Sequence, residues 1–224
     1  MTCEIIGTGS TGNAILLNGN ILLDCGLSFK QIEPYYRKLN LVLFGHVHGD
    51  HFNKTTIRRL AQERPLLRFG GGNWMICPLA GCRVSIDRID SYAMNQTYHY
   101  KMLGGGDLCV TPFPLVHDVE NCGYKIALPN GEKVLYAVDT GSMDGIEAVG
   151  YDLYMIEANH TEEEIQQRMQ DKLERGEFSY ESRAAATHLS KEKADAWLLE
   201  NARENSKFVY LHKHHDREGT RGAQ

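Results

Sequence analysis

The stretch Gly45-His46-Val47-His48-Gly49-Asp50-His51-Phe52 decides how this sequence is interpreted. Within six residues it places three imidazoles and one carboxylate, directly after the apolar run 41–44. His46 and His48 alternate and can point at one ion, while Asp50 and His51 face a second position. Imidazole and carboxylate together suit zinc, manganese or iron, rather than calcium or magnesium alone. The alternative is a histidine-rich loop without a metal, but these side chains are poor material for a core or an ordinary surface turn.

The composition is typical of a globular protein. The chain has 224 residues, of which 42% are hydrophobic and 24% charged, and is long enough to bury a core. Its net charge of -5 does not suggest an electrostatic nucleic-acid binder, although bound divalent metals would add positive charge that this count omits. No N-terminal apolar segment follows a basic stretch, and no apolar run approaches about 18 residues. We therefore expect a cytoplasmic protein with no membrane partner, whose six scattered cysteines are reduced thiols.

Short apolar runs predict strands, and two periodic or capped patterns predict helices. Asn18-Gly19-Asn20 is a hairpin signal between two of the runs, and Thr161 with Glu164 forms a capping box. The predicted strands lie at residues 5–6, 15–17, 21–23, 41–44, 108–114, 124–128, 133–138, 154–156 and 208–211. The predicted helices cover residues 29–39, the segment around 57–61, and the segments that begin after Thr161 and after Ser190.

This order of elements predicts an α/β (α+β) fold of four layers, αββα, in which two mixed β-sheets are sandwiched between helices. The middle of the chain, 65–106, is predicted to hold edge strands and loops, and its glycine-rich segments 70–72 and 104–106 are interpreted as turns. We expect a single domain over residues 1–216 and a flexible tail over residues 217–224.

Further candidate ligands stand where apolar strands end. His117, Asp139 and His212 each follow such a run, and Asp24 follows the run 21–23 in the same way. A lone histidine at a strand end is more often a hydrogen-bonded structural residue. Here the pattern repeats behind one strong cluster, and a rigid sheet can hold the ligands of a two-metal site. We expect Asp24 to orient a ligand or a metal-bound water rather than to bind the metal.

The series His46-x-His48-x-Asp50-His51, His117, Asp139 and His212, with Asp24 upstream, resembles the metallo-β-lactamase fold superfamily over nearly the whole chain. The resemblance implies a dinuclear site for two divalent ions, Zn²⁺ or Mn²⁺ with iron as an option. Its first metal would be bound by His46, His48 and His117, and its second by Asp50, His51 and His212. Asp139 would bridge the two ions, as in the family's hydrolases of phosphodiesters and thioesters, so we do not expect β-lactamase activity.

A narrower resemblance is to the WalJ (YycJ) group, whose members are regarded as metal-dependent exonucleases acting 5′ to 3′ on DNA. It is carried by the segments Gly9-Ser10-Thr11-Gly12-Asn13-Ala14, Phe113-Pro114-Leu115-Val116-His117-Asp118, Ile156-Glu157-Ala158-Asn159-His160 and His188-Leu189-Ser190. The layout is also similar to that of the tRNA 3′-processing enzymes. In those enzymes a glutamate supports a histidine before a helix, and the pair delivers a proton to the leaving group.

By this resemblance Glu157 and His188 form the proton-donating pair, with Asn159 in place of a threonine, and His160 is the alternative donor. The expected catalytic residues are therefore Asp50, Glu157, His188 and Asp24. The chain lacks the long inserted arm with which the tRNA-processing relatives grip their substrate. The sequence thus predicts a dinuclear metal-dependent phosphodiesterase acting on nucleic acid, in particular a DNA 5′-end exonuclease. The alternatives are a hydrolase of a cyclic nucleotide or other small phosphodiester, and a metal-binding module without catalytic activity.

Overall fold

Two six-stranded mixed sheets pack face to face with helices on their outer faces. The fold comes from a computed structural model that describes residues 1–101, 106–177 and 181–213. The first sheet consists of the six strands between residues 3 and 92, the second consists of the six strands between residues 98 and 211, and in both sheets each strand pairs with the next one along the chain. Each sheet contains both parallel and antiparallel pairs, which confirms the predicted fold class.

Each predicted strand is present in the predicted order, and the structure adds the strands Arg68–Gly72, Ile89–Tyr92 and Tyr98–Lys101 and the helices Ile76–Gly81 and Glu181–Thr187. The strands are β1 Cys3–Gly7, β2 Ala14–Leu17, β3 Ile21–Leu23, β4 Leu41–Phe44, β5 Arg68–Gly72, β6 Ile89–Tyr92, β7 Tyr98–Lys101, β8 Asp107–Leu115, β9 Asn121–Ala127, β10 Lys133–Ala137, β11 Leu153–Glu157 and β12 Lys207–Leu211. The helices are α1 Phe29–Ile32, α2 Lys54–Glu63, α3 Ile76–Gly81, α4 Glu162–Glu174, α5 Glu181–Thr187 and α6 Lys191–Asn201. Short 3₁₀ helices cover Tyr36–Lys38, Asn73–Met75 and Ile86–Arg88.

The central strands are continuously apolar because both of their faces are buried. In β4, Leu41 and Leu43 pack between the two sheets, while Val42 and Phe44 pack under the helices of the first sheet. Helix α6 covers the other side of the sandwich and buries Trp197 against the second sheet. The sandwich is thus held by three apolar layers, and its rigid strands set the positions of the loops at their ends.

Two sequence-based predictions are wrong. The predicted helix over residues 29–39 ends after Ile32, and a separate 3₁₀ turn follows at Tyr36–Lys38. Pro34 lies between the two pieces, and proline has no N–H for a helical hydrogen bond. The triplet 70–72 is not a turn but the end of β5, an interior strand that pairs with both β4 and β6.

The glycines of β5 make room for bulky neighbours. A Cβ atom on Gly70 would lie 2.2 Å from the hydroxyl oxygen of Tyr92 and 2.6 Å from its Cζ. Tyr92 is 2% exposed, so its ring has little freedom to move away. Apolar periodicity does not predict this strand, because the side chain that fills the space beside Gly70 is the Tyr92 ring of the neighbouring strand.

Part of the sequence-based prediction lies outside the described residues. This applies to Gly104 and Gly105 of the second glycine-rich segment, to the domain boundary at 216 and to the tail 217–224. All six cysteines are free thiols, as expected. Across the described ranges, no helix combines the length and the apolar character needed to cross a membrane.

We predict that Gly70→Ala destabilises the protein by about 1–3 kcal/mol, because the added methyl group overpacks against the Tyr92 ring. The matched control is Gly81→Ala at the end of α3, where a Cβ meets no atom within 4 Å. The measurement is the free energy of unfolding from urea titration of both variants. Equal stability of the two variants would show that the Tyr92 ring does not constrain this strand.

Candidate metal centre

Six strands from both sheets deliver polar side chains to one edge of the sandwich. Asp24 follows β3, His46 follows β4, His117 follows β8, Asp139 follows β10 and His212 follows β12, while Glu157 is the last residue of β11. Asp24, Asp139 and His212 have positive φ angles of 56°, 58° and 54°. Such angles are uncommon for residues other than glycine and turn the chain sharply after the strand. The turns bring the side chains together at the strand ends, as the sequence predicts.

The first group of possible metal ligands consists of His46, His48 and His117. One ring nitrogen from each of them lies within 4.8 Å of the others. His117 Nε2 is 3.3 Å from His48 Nδ1, and the His117 Nδ1–H donates to the carbonyl oxygen of Thr187 at 3.2 Å. This backbone hydrogen bond leaves Nε2 of His117 free to face the group.

The second group consists of Asp50, His51, Asp139 and His212, whose ligand atoms also lie within 4.8 Å of one another. His212 Nε2 is 3.3 Å from Asp50 Oδ2. Asp139 Oδ2 lies 2.8 Å from His51 Nε2 in this group and 3.3 Å from His46 Nε2 in the first group. One carboxylate oxygen thus stands between the two groups, where a bridging ligand would be.

Asp24 holds His51 from behind. The Nδ1–H of His51 donates to Asp24 Oδ2 at 2.7 Å, and the hydroxyl of Tyr136 donates to the same oxygen at 2.6 Å. Asp24 Oδ1 accepts the backbone N–H of Gly45 at 3.1 Å. These bonds satisfy the buried carboxylate and fix the tautomer of His51, which leaves Nε2 for a metal.

Glu157 is fully buried and supports two histidines at once. The Nδ1–H of His188 donates to Glu157 Oε1 at 2.7 Å, and Nδ1 of His212 lies 3.2 Å from the same oxygen. Glu157 Oε2 accepts the backbone N–H of Thr140 at 2.8 Å. Because Nδ1 of His188 is held by Glu157, its Nε2 is the nitrogen available to a bound molecule. A third set of possible ligands, Asp139, Glu157, His188 and His212, overlaps the second group.

The residues present fit divalent metal ions. His46 Nε2 and Asp139 Oδ1 are buried without a hydrogen-bond partner in the described structure. Asp139 Oδ1 is 2.9 Å from His212 Nδ1, but this contact lacks hydrogen-bond geometry. Buried polar atoms are nearly always paired, so two orphaned atoms at one centre point to a missing partner. Imidazole nitrogens and carboxylate oxygens in this number are the ligand set of zinc, manganese or iron.

The electrostatics of the centre point the same way. Burial and the neighbouring His51 lower the pKa of His46 to about 2, so it is neutral and able to ligate. Burial also opposes charge on His51, but the carboxylates of Asp139 and Asp24 outweigh it and raise the pKa of His51 to about 10. In the same way, despite burial, Asp139, Asp50 and Glu157 raise the pKa of His212 to about 12.

For His188, burial is again outweighed by Asp139 and Glu157, and the pKa rises to about 9. Burial would raise the pKa of Asp139 itself, but the surrounding imidazoles of His51, His188 and His212 hold it well below its usual value. The buried carboxylates are therefore stabilised by nearby positive charge, which either protons on the histidines or metal cations can supply. Metal binding at such a centre releases the protons.

The loop between β1 and β2 closes over the ligand loop. Asn13 donates its backbone N–H to the carbonyl of Asp50 at 2.6 Å, and its side-chain Nδ2 lies 2.8 Å from His51 Nε2. Gly26 crosses the same carbonyl so closely that a Cβ there would be 1.7 Å from the Asp50 oxygen. Residues 9–14 are one of the segments that carry the narrower family resemblance, but the sequence predicts no role for Asn13. Only the fold brings Asn13 next to the possible metal ligands.

Asp118 is a second residue near the site that the sequence did not assign. One of its carboxylate oxygens is 3.2 Å from His117 Nε2 and 3.4 Å from His48 Nε2, and the other pairs with Arg183 on α5. Its position directly after His117 was the available signal. His160, the alternative proton donor, is buried, with 5% of its surface exposed, and pairs with Ser190. It does not line the cavity beside the two groups of possible ligands.

That cavity has a volume of about 310 Å³ and opens to solvent. It is lined by Ser10, His48, Asp50, His117, Asp118, Asp139, Arg183, Ala184, Thr187, His188 and His212. Asp24, Glu157 and His51 lie behind this wall. A substrate in the cavity would therefore meet both ligand groups and the ring of His188 together.

Comparisons with known proteins agree with this architecture. Similar solved structures include the metallo-beta-lactamase fold protein YhfI from Bacillus subtilis, at 16% identity over 94% of this chain and 85% of that chain with a TM-score of 0.66. A diphosphatase from the PhnP family matches at 14% identity over 94% and 85% of the two chains, with a TM-score of 0.65. A long form RNase Z from yeast matches at 14% identity over 95% of this chain but 37% of that chain, with a TM-score of 0.62.

Identities this low show a shared fold. Sequence comparison with curated proteins gives no match. The family model described as a beta-lactamase superfamily domain matches residues 19–212, a range that holds all seven of the possible ligands in the first two groups. With this match over most of its length and two mixed sheets that carry the ligands at one edge, the chain belongs to the beta-lactamase superfamily and has the metallo-β-lactamase fold.

Proposed function

We propose that this protein is a dinuclear metal-dependent phosphodiesterase that acts on nucleic acid, with DNA 5′-to-3′ exonuclease activity of the kind found in the WalJ-like group. The observation that carries the proposal is the juxtaposition of Asp139, between the two ligand groups, with the Glu157–His188 pair at the wall of the same cavity. This arrangement combines metal ligands with a separate, protonated donor.

The metal ligands in this proposal are those of the two groups. His46, His48 and His117 would hold the first ion, Asp50, His51 and His212 would hold the second, and Asp139, which lies between the two groups, would serve both. When bound, two divalent cations activate water as a nucleophile and neutralise charge on the non-bridging oxygens of a phosphodiester. Asp24 keeps the ring of His51 in place through its 2.7 Å hydrogen bond.

The chain's own contribution to bond breaking is a proton at Nε2 of His188. Glu157 accepts the Nδ1–H, which orients the ring, and its buried carboxylate stabilises the protonated form of the imidazole. A protonated imidazole can then act as general acid toward the departing oxygen of the ester. Phosphodiesters with alkoxide leaving groups need this help, because an alkoxide is a strong base.

The comparisons are compatible with a phosphate-containing substrate, since two proteins of similar fold are named a diphosphatase and an RNase Z. A second candidate is a hydrolase of a cyclic nucleotide or another small phosphodiester. It is favoured by the net charge of -5, because a long nucleic acid engages many phosphates. A catalytically inactive metal-binding module is the third candidate, and the Glu157–His188 pair argues against it.

Substrate size is tested by the salt dependence of activity. We predict that cleavage of single-stranded DNA weakens steeply as salt rises, because each contacted phosphate releases counterions. Turnover of bis(4-nitrophenyl) phosphate by the same preparation serves as the control and should change little. A cyclic nucleotide that is cleaved efficiently, together with DNA that is not cleaved at either end, would favour the small-molecule candidate.

Metal binding is tested by Asp139→Asn. We predict loss of bound metal and of phosphodiesterase activity, because the substitution removes the charge that lies between the two ligand groups. The measurement is the metal content per chain by elemental analysis, together with turnover. The control Asp144→Asn removes an exposed carboxylate and should retain both. Full metal content in Asp139→Asn would contradict the bridging role.

The proton donor is tested by His188→Ala and Glu157→Gln. We predict that His188→Ala retains metal and that both variants lose about 10²–10⁴-fold in rate, the range typical of general acid catalysis. The loss should be greatest on DNA and smallest on bis(4-nitrophenyl) phosphate, whose nitrophenolate leaves without a proton. The measurement is the ratio of the rates on DNA and on bis(4-nitrophenyl) phosphate in each variant. An equal loss of rate on both substrates would refute the assignment of His188 as proton donor.

A further inference from the structure

The cavity beside the metal groups contains a cation that the proposed reaction does not use. Arg183 on α5 is the one lysine or arginine among the described residues that line it. The acidic side chains on the same wall are Asp50, Asp118 and Asp139. Asp50 and Asp139 would be balanced by the metals that they hold, so beyond those metals Arg183 is the permanently charged side chain that can attract a polyanionic substrate there.

The guanidinium of Arg183 is oriented and still has donors to offer. One oxygen of Asp118 accepts a short hydrogen bond from Nη2 of Arg183. Arginine has five N–H donors in a planar fork, and this contact uses a minority of them. The side chain is 69% exposed, so its remaining donors can reach a ligand in the open cavity. Planar N–H pairs of this kind match the oxygens of a phosphate.

The position of Asp118 shows which phosphate this would be. Its second oxygen is 3.2 Å from His117 Nε2 and 3.4 Å from His48 Nε2, so the Asp118 carboxylate separates Arg183 from the first ligand group. A phosphate at the metal groups would have this carboxylate between itself and Arg183. The arginine is therefore placed for an anionic group next to the one that is cleaved.

We infer that Arg183 forms a second phosphate subsite, which binds a non-scissile phosphate of a nucleic-acid strand whose scissile phosphate lies at the metal groups. The inference rests on the proposed function and extends it to substrate choice. A strand of nucleic acid offers such a phosphate at its 5′ end or along its backbone, whereas a simple phosphodiester has none. Arg183 thus favours a strand over a small diester in spite of the acidic charge of the chain.

The competing role for Arg183 is to anchor α5. Thr187, the last residue of that helix, already accepts a hydrogen bond from His117, so the Asp118–Arg183 pair would add a second link between α5 and the ligands. An anchoring role would affect every substrate alike, because it would act through His48 and His117. A subsite affects only substrates that carry a second phosphate.

The test uses Arg183→Gln in the full chain loaded with its metals. The first readout is the fluorescence anisotropy of short labelled strands with cleavage-resistant phosphorothioate linkages, one with a 5′-phosphate and one with a 5′-hydroxyl. The second is turnover of bis(4-nitrophenyl) phosphate, which carries a single phosphate. We expect strand binding to weaken about tenfold, in line with the loss of charged hydrogen bonds, while turnover of the small diester stays close to that of the unmodified protein.

The charge-matched control is Arg175→Gln, which removes an exposed arginine at the end of α4 that does not line the cavity. It should change neither readout. A loss confined to the 5′-phosphorylated strand assigns the subsite to the terminal phosphate, and an equal loss with both strands assigns it to a backbone phosphate. Both results support the inference.

Two results would overturn it. In the first, Arg183→Gln binds strands as tightly as Arg175→Gln does. In the second, Arg183→Gln lowers the turnover of bis(4-nitrophenyl) phosphate by the same factor as it weakens strand binding. The strand-binding readout does not need catalysis, so it decides the role of Arg183 even where the unmodified protein turns over no phosphodiester. That last outcome would count against the proposed function alone.

Discussion

The buried carboxylate of Asp139 is the constraint on which the site depends. It is 2% exposed, and His46, His51, His188 and His212 all lie within 3.5 Å of its oxygens. A carboxylate in such a place is costly unless positive charge surrounds it. The histidines contribute that charge only when they hold protons, and a neutral imidazole contributes none. Divalent ions would offset the cost of burying the carboxylate in another way, because they balance its charge and bind neutral imidazoles as ligands.

This close arrangement of imidazoles and carboxylates requires a rigid scaffold. Imidazoles crowded around a carboxylate would relax apart if they stood on flexible loops, and the two ligand groups would separate. Here four of the strands that end at the site, β3, β4, β10 and β11, have side chains that are buried on both faces almost throughout. The left-handed turns at Asp24, Asp139 and His212 cost backbone energy, and the packed strands before them stabilise the turns. The apolar layers therefore act on the chemistry through the geometry of strand ends.

The sequence predicts this part of the protein well because its signals are local. Apolar runs mark β3 and β4, and the first polar side chain after each run, Asp24 or His46, marks the edge where the possible ligands gather. The prediction fails where the structural cause is distant along the chain. The strand β5 is hidden in the sequence because the ring that packs on Gly70 belongs to Tyr92. The helix predicted over 29–39 fails for a nearer reason, since Pro34 interrupts an otherwise helical pattern.

The same distinction separates the kind of reaction from the choice of substrate. The ligand groups are built from strand ends and one compact motif, so residues that can be read in order indicate the chemistry. The wall of the cavity is built differently: Ser10 comes from the loop before β2, Asp118 from the loop after β8, and Arg183 from the short helix α5. None of these three belongs to a recognisable ligand pattern, and Arg183 and Asp118 pair across 65 positions of the chain. Loops and short helices of this kind vary without disturbing the strands, so one arrangement of residues at strand ends can serve different substrates. Substrate choice in this protein is therefore to be sought in α5 and the loops around it, and the possible metal ligands themselves carry little information about it.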